Sequence, residues 1–135
     1  MTESTLLLVD DEPNILRALN RILRREGYKI LMAQSGSDAL QLLQEHPVDV
    51  LMTDQRMPVM SGTELLAQVK QQYPHIVRMM LSGWLDATML MDAVNVGHIY
   101  KFIPKPWDDE ELRLLVKEAF AYRAQQPAFI KRIGD

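Results

Sequence analysis

The chain contains no cysteine, no long apolar run and little net charge. The absence of cysteine excludes a disulfide scaffold and any site that depends on a thiolate. The longest apolar runs have the length of strands, far short of the roughly 20 residues that cross a bilayer. A net charge of −3 gives no general attraction to nucleic acid. The polar, acidic first residues do not resemble a secretory signal. We therefore expect a cytoplasmic protein that binds neither a membrane nor nucleic acid directly.

The length and composition are those of one globular domain. The chain has 135 residues, of which 47% are hydrophobic, enough to bury a core of ordinary size. The segment that follows Gln125 contains Pro127 and Gly134 and has no helical or strand pattern. We expect a folded domain over residues 1–125 and a linker or frayed tail over residues 126–135.

Apolar runs alternate with amphipathic segments along the whole domain. The apolar runs predict five strands, over residues 6–9, 28–33, 48–53, 76–81 and 99–103. Between and after them, apolar residues at helical spacing predict five helices, the fourth beginning near Asp86 and ending near Gly97. Ser61 with Glu64 and Asp108 with Glu111 have the spacing of helix-capping pairs. Strict alternation of strands and helices predicts a parallel sheet with helices on both faces.

Charged residues stand at the ends of three of these strands. Asp10 and Asp11 end the first apolar run, Asp54 ends the third and Lys105 follows the fifth. Because the carboxyl ends of parallel strands meet at one edge of a sheet, we expect these side chains to share one cleft. Three adjacent carboxylates repel one another unless a cation joins them, and their oxygens suit Mg²⁺. The pattern indicates a metal-dependent phosphoryl site.

These residues resemble the receiver domain of two-component response regulators. The resemblance rests on Asp10-Asp11, Asp54, Ser82 and Lys105-Pro106 in their strand contexts, and on the run from Asp54 to Gly62. It covers residues 6 to about 122, and each motif is weak alone whereas the ordered set is specific. Within this family, the motif sequences are most similar to those in receivers of hydrogenase-type transcription regulators or of cyclic-di-GMP phosphodiesterases.

The resemblance implies a fold and a chemistry. The fold would be flavodoxin-like, a doubly wound five-stranded parallel sheet of order 2-1-3-4-5 with five helices. Asp54 would accept a phosphoryl group from a sensor histidine kinase or a phosphotransfer protein. Asp11, Asp54 and the carbonyl of Arg56 would bind Mg²⁺ directly, and Asp10 would bind it through water. Such a domain catalyses only its own phosphorylation and dephosphorylation, so we expect no enzyme with a separate substrate.

The resemblance also assigns roles to three residues on the later strands. Lys105, followed by a cis peptide bond to Pro106, would neutralise phosphoryl oxygens, and the Ser82 hydroxyl would hydrogen-bond one of them. Phe102 would be the switch aromatic. The signal would leave through the face of the fourth helix, fifth strand and fifth helix, toward an output domain C-terminal to this chain or toward a second copy in a phosphorylation-enhanced homodimer.

Other interpretations remain open at this stage. A Mg²⁺-dependent phosphatase with an aspartyl-phosphate intermediate would want an acid two residues beyond Asp54, where this chain has Arg56. A mononucleotide-binding protein would require a loop rich in glycine or hydroxyl residues after the first strand, where this chain is acidic. A degenerate receiver would serve only as an interaction module. Each site residue also has a plain structural alternative, since Asp and Ser often cap helices and turns.

Overall fold

A computed structural model describes residues 4–83 and 99–125. These residues contain five strands: β1 (Thr5–Val9), β2 (Lys29–Ala33), β3 (Val50–Asp54), β4 (Val77–Gly83) and β5 (Lys101–Lys105). The helices are α1 (Pro13–Leu23), α2 (Gly36–Glu45), α3 (Gly62–Gln72) and α4 (Asp109–Ala124). The helix predicted near residues 86–97 and the predicted tail over 126–135 lie outside the described residues, so α4 is the fifth of the helices predicted from the sequence.

The strands form one parallel sheet in the order β2-β1-β3-β4-β5. This order confirms the predicted flavodoxin-like arrangement. The register aligns the carboxyl ends of the central strands, because Val9 lies opposite Ala33 and Thr53, while Asp54 lies opposite Leu81. The predicted bounds of the last two strands were wrong. Ser82 and Lys105 lie inside β4 and β5, because pairing continues through Ser82 with Pro104 and Gly83 with Lys105.

The core lies on both faces of the sheet. One cluster of buried side chains packs β1, β3 and β4 against α2 and α3, and includes Leu7, Leu51 and Leu65. The other packs the opposite face against α1 and α4, and includes Leu8, Met52 and Leu112. All residues of β1 and β3 are buried. Burial on both faces explains why these strands read as continuous apolar runs rather than as alternating patterns.

The two helix-capping pairs predicted from the sequence, at Ser61 and Asp108, are confirmed. Pro13 occupies the first turn of α1, and the side chain of Asp108 accepts a hydrogen bond from the Glu111 N–H before α4. Ser61 and Glu64 form both hydrogen bonds of a capping box at α3. Helix α1 ends at Leu23, and a 3-10 turn over Arg24–Glu26 follows before Gly27 takes a left-handed φ of 89°.

None of the helices in the described ranges combines the length and the apolar character that crossing a membrane requires.

Candidate functional site

The carboxyl edge of the sheet brings three aspartates together. Asp10 and Asp11 follow β1, and Asp54 is the last residue of β3. Each offers one carboxylate oxygen, and the three oxygens lie within 4.8 Å of one another. Asp10 is fully buried and Asp54 is 7% exposed, whereas Asp11 is half-buried. The adjacency predicted from the strand ends is therefore present, and it concentrates three negative charges at a partly dehydrated place.

Lys105 supplies the positive charge of this cluster. Its Nζ donates to Asp54 Oδ1 at 2.6 Å and lies 3.5 Å from Asp10 Oδ2. Burial lowers the pKa of Lys105, but the hydrogen bond to Asp54 and the charges of Asp54 and Asp10 outweigh burial and raise it. The ammonium is thus charged at neutral pH and oriented by the Asp54 carboxylate. One cation against three carboxylates still leaves the cluster with an excess of negative charge.

Asp10 has a carboxylate oxygen suited to a cation or its water. Its Oδ1 accepts a hydrogen bond from the Glu12 N–H at 2.9 Å. Its Oδ2 is buried and, among the described residues, receives no hydrogen bond. Burial raises the pKa of Asp10, the bond from Glu12 lowers it, and the charge of Asp54 raises it further. Buried polar atoms are normally satisfied, so an unsatisfied carboxylate oxygen beside two other carboxylates fits a Mg²⁺ site.

The acidic residues before α1 could serve only to cap that helix, and the structure supports this alternative in part. Glu12 is the N-cap residue of α1, yet its side chain makes no capping hydrogen bond. The bond from the Glu12 N–H to Asp10 Oδ1 satisfies one donor at this helix start. Asp10 therefore contributes to the helix terminus through one oxygen, while the other oxygen faces the cluster.

Ser82 lies on β4, the strand next to that of Asp54, and Phe102 lies on β5, one strand further away. Ser82 is 2% exposed, follows Leu81, which pairs with Asp54, and donates from Oγ to the Gly83 carbonyl at 3.0 Å. Phe102 is half-buried, pairs with Met80 and packs against the core cluster of α2 and α3. The peptide bond between Lys105 and Pro106 is cis, as the family resemblance implied. Ser82 is thus one residue beyond the strand partner of Asp54, whereas Phe102 packs against the core, and the roles of both in signalling stay predictions.

The loop after β3 contains a residue that sequence reasoning missed. Arg56, whose carbonyl was predicted to bind the metal, has an exposed side chain in this loop. Gln55, between Asp54 and Arg56, is only 6% exposed, and its Oε1 accepts hydrogen bonds from both the N–H and the hydroxyl of Thr63. The sequence has no pattern at Gln55 that distinguishes this buried residue beside Asp54 from a polar loop residue exposed to solvent.

Comparisons with known proteins agree with this geometry. The chain belongs to the response regulator receiver domain family, whose sequence model matches residues 6–117. It is 39% identical over 117 residues to the hydrogenase transcriptional regulatory protein HoxA of Cupriavidus necator, covering 87% of this chain and 24% of that protein. It is 31% identical to the DNA-binding transcriptional regulator NtrC of Escherichia coli K12, covering 99% of this chain and 29% of the relative. The chain thus spans about a quarter of the length of these curated relatives.

Solved structures share the same fold. The signal receiver domain of an HD domain-containing protein from Pseudomonas fluorescens Pf-5 is 36% identical, with a TM-score of 0.88 over 93% of this chain and 100% of that one. An uncharacterized protein from Neptuniibacter caesariensis is 38% identical, with a TM-score of 0.90 over 95% of each chain. The predicted membership in the receiver family and the predicted fold are confirmed. The family is one of phosphorylation-controlled signalling domains that bind Mg²⁺ through an acidic pocket and generally act as switches rather than enzymes.

Proposed function

We propose that this chain is a phosphorylation-controlled switch, with Asp54 as acceptor of a phosphoryl group from a sensor histidine kinase or a phosphotransfer protein. The observation that carries the proposal is the environment of Asp54. It ends β3 with 7% exposure, Lys105 Nζ lies 2.6 Å from its Oδ1, and two further carboxylates lie within 4.8 Å. A surface aspartate in a turn needs none of these neighbours.

The proposed reaction is a transfer between two nucleophiles. A carboxylate oxygen of Asp54 attacks the phosphorus of a phosphohistidine, the phosphorus–nitrogen bond breaks, and the electron pair leaves with the imidazole of the donor. The product is an acyl phosphate on Asp54. Lys105 already contacts Asp54 and has its positive charge where phosphoryl oxygens would gather. Ser82 has a buried hydroxyl that can turn from the Gly83 carbonyl to a phosphoryl oxygen.

The acidic residues fit the Mg²⁺ on which we propose this reaction depends. Asp11, Asp54 and the carbonyl of Arg56 would hold the ion, with Asp10 bound through one of its waters. When bound, Mg²⁺ draws negative charge from the phosphoryl oxygens. The buried, unsatisfied Oδ2 of Asp10 supports a bridging water at this place. We infer no turnover of a separate substrate, since the site serves the protein's own modification.

The proposed output follows from the position of β5. This strand contains Lys105, which contacts the acceptor, and Phe102, the proposed switch aromatic. Movement of the Ser82 segment toward the phosphoryl group would change the output face expected from the family resemblance, which includes β5 and α4. The fourth predicted helix, which would complete this face, lies outside the described residues. We propose that this face contacts an output domain C-terminal to the chain or a second copy, and that the protein works in the cytoplasm. The names of HoxA and NtrC as transcription regulators support an output domain.

The test is labelling with Mg²⁺ and a small phosphodonor. We expect one acid-stable, base-labile phosphoryl group per chain, and none in Asp54→Asn. Asp38→Asn removes an exposed carboxylate at the start of α2 and should label normally. Full labelling of Asp54→Asn would overturn the assignment. Sedimentation of the same samples tests the dimer, because phosphorylated protein should associate more strongly than Asp54→Asn. Equal sedimentation of the two samples at high concentration would exclude a phosphorylation-enhanced homodimer as the output.

A further inference from the structure

The first turn of α3 is held by Gln55. A helix N-terminus leaves its first N–H groups without partners inside the helix. In α3 the Gly62 N–H donates to the Gln55 carbonyl at 2.9 Å, and the Thr63 N–H donates to Gln55 Oε1 at 2.8 Å. The Glu64 N–H donates to Ser61 Oγ at 3.1 Å, within the capping box. Two of the three donors are therefore satisfied by Gln55, through its main chain and its side chain.

The contact between α3 and the end of β3 is close as well as hydrogen-bonded. A Cβ added at Gly62 would lie 2.3 Å from the Asp54 carbonyl oxygen and 3.0 Å from Gln55 Cα. Real Cβ atoms do not approach this near, so the helix reaches the acceptor residue only because position 62 is glycine. The backbone of Asp54 is consequently packed against α3, and the spacing between them is set by the bonds at Gln55.

These bonds also close the loop between β3 and α3. Arg56 to Ser61 form a six-residue segment whose ends are joined by the bond from the Gly62 N–H to the Gln55 carbonyl. Within it Val59 has a φ of 68° with its side chain fully exposed. A left-handed conformation is unfavourable for a β-branched residue and persists only when the surroundings impose it. The conformation of the loop over residues 56–61 is therefore constrained by the hydrogen bond that joins its two ends.

We propose that Gln55 is a positioning residue for the Mg²⁺ site, acting through the backbone of Asp54 and Arg56. The inference rests on the proposed function, because the acceptor and the metal-binding carbonyl are the two residues on either side of Gln55. Its buried Oε1 fastens α3, and α3 in turn holds the loop that presents the Arg56 carbonyl. Residues that orient metal ligands through hydrogen bonds typically change metal affinity by about 10- to 100-fold when they are removed.

A purely structural helix anchor would behave differently. Loss of an anchor alone would lower the stability of the chain with and without Mg²⁺ by the same amount, and would leave the Kd for Mg²⁺ unchanged. Loss of a positioning residue would change both the stability of the chain and its Kd for Mg²⁺, because the loop over residues 56–61 that becomes less ordered also contains the Arg56 carbonyl. The increase in stability that Mg²⁺ confers would then shrink together with the affinity.

The experiment compares Gln55→Met with Gln41→Met. Methionine keeps the length of glutamine and removes the acceptor for Thr63. Gln41 is an exposed residue of α2 that hydrogen-bonds Glu45, so its substitution repeats the chemical change away from the site. Titration calorimetry with Mg²⁺ should show a Kd about tenfold weaker for Gln55→Met and unchanged for Gln41→Met. Urea unfolding with and without Mg²⁺ should show a smaller Mg²⁺-dependent shift of the midpoint in Gln55→Met alone.

Thr63→Val provides a milder version should Gln55→Met fail to fold. It removes the hydroxyl bond to Gln55 Oε1 and leaves the N–H bond in place. We expect a weakening of Mg²⁺ binding by less than tenfold. An unchanged Kd in the folded variants, with lowered stability, would overturn the inference and leave the proposed function intact. Absence of Mg²⁺ binding by the unsubstituted chain would instead overturn the proposed function, and this inference with it.

Discussion

Replacing Asp10 by asparagine should stabilise the protein when no divalent cation is present. Asparagine keeps an oxygen that can accept the Glu12 N–H, as Asp10 Oδ1 does at 2.9 Å. It removes a fully buried negative charge whose Oδ2 receives no hydrogen bond among the described residues. Lys105 keeps its contact with Asp54 at 2.6 Å, so the substitution leaves no ammonium unpaired.

The size of the effect follows from the charges around Asp10. At an effective dielectric constant of about 20, charges 4.8 Å apart repel by about 3.5 kcal/mol, and Asp10 has two neighbours within this distance, Asp11 and Asp54. The attraction to Lys105 Nζ at 3.5 Å is about 5 kcal/mol on the same scale. Repulsion therefore exceeds attraction by about 2 kcal/mol, and burial of the charge adds to it. We expect Asp10→Asn to raise the free energy of unfolding by about 2 kcal/mol at pH 7.

The effect of Asp10→Asn on stability should depend on pH, because Asp10 is a titratable group. Because the pKa of Asp10 is raised in the folded protein, the stability linked to this group is fully present below its ordinary value of 3.8. That stability is lost as the pH rises through the folded-state pKa. The advantage of Asp10→Asn should therefore be largest at neutral pH and should shrink as the pH approaches 3.8.

Urea unfolding in a chelator, followed by circular dichroism, measures this difference. The same titration with Mg²⁺ should narrow or reverse it, because the ion removes the repulsion in the unsubstituted protein and has a weaker site in the variant. Asp38→Asn, at an exposed position, is the control and should change stability by well under 1 kcal/mol. A lower stability of Asp10→Asn at pH 7 without Mg²⁺ would refute the electrostatic account of this site.

Two further substitutions test the loop beside the acceptor. Gly62→Ala should destabilise the protein by about 2 kcal/mol, because the new Cβ would lie 2.3 Å from the Asp54 carbonyl oxygen. Gly83→Ala is the control, because no atom of residues 4–83 or 99–125 lies within 4 Å of its Cβ, and equal urea midpoints of the two variants would contradict the close packing at Gly62. Val59→Gly should stabilise by about 1 kcal/mol, because glycine accepts the left-handed φ of 68°. Val59→Ala retains the strained backbone, so a similar gain in that variant would show that strain is not the cause.

The fold could be predicted because each local signal agreed with the sheet. The strands β1 and β3 are buried on both faces, which produced uninterrupted apolar runs, and the capping pairs at Ser61 and Asp108 marked helix starts by side-chain chemistry. The ends of β4 and β5 were misplaced, since polar Ser82 and proline at position 104 look like terminators. Pairing with neighbouring strands, which a single sequence does not display, extends both strands to the site edge.

The sequence predicted which residues come together at the candidate site, but it did not predict their hydrogen bonds. The rule that parallel strands end at one edge placed Asp10, Asp54 and Lys105 together. The Glu12 N–H donates a hydrogen bond to Oδ1 of Asp10, and no sequence pattern predicts which of the two carboxylate oxygens accepts it. Gln55 went unnoticed because its partner, Thr63, lies eight residues away on another element.

Charge balance connects the metal with the phosphoryl group at this site. Three carboxylates and the Lys105 ammonium leave two negative charges, which one divalent cation would cancel. A phosphohistidine brings further negative charge, and at an uncancelled site it would meet repulsion from Asp10, Asp11 and the acceptor itself. Lys105 cannot offset this alone, because its Nζ is already held by Asp54 Oδ1 at 2.6 Å. On the proposed function, we therefore expect phosphoryl transfer only after a cation is bound. The same excess of negative charge would lower the stability of the metal-free protein and provide the attraction for the cation.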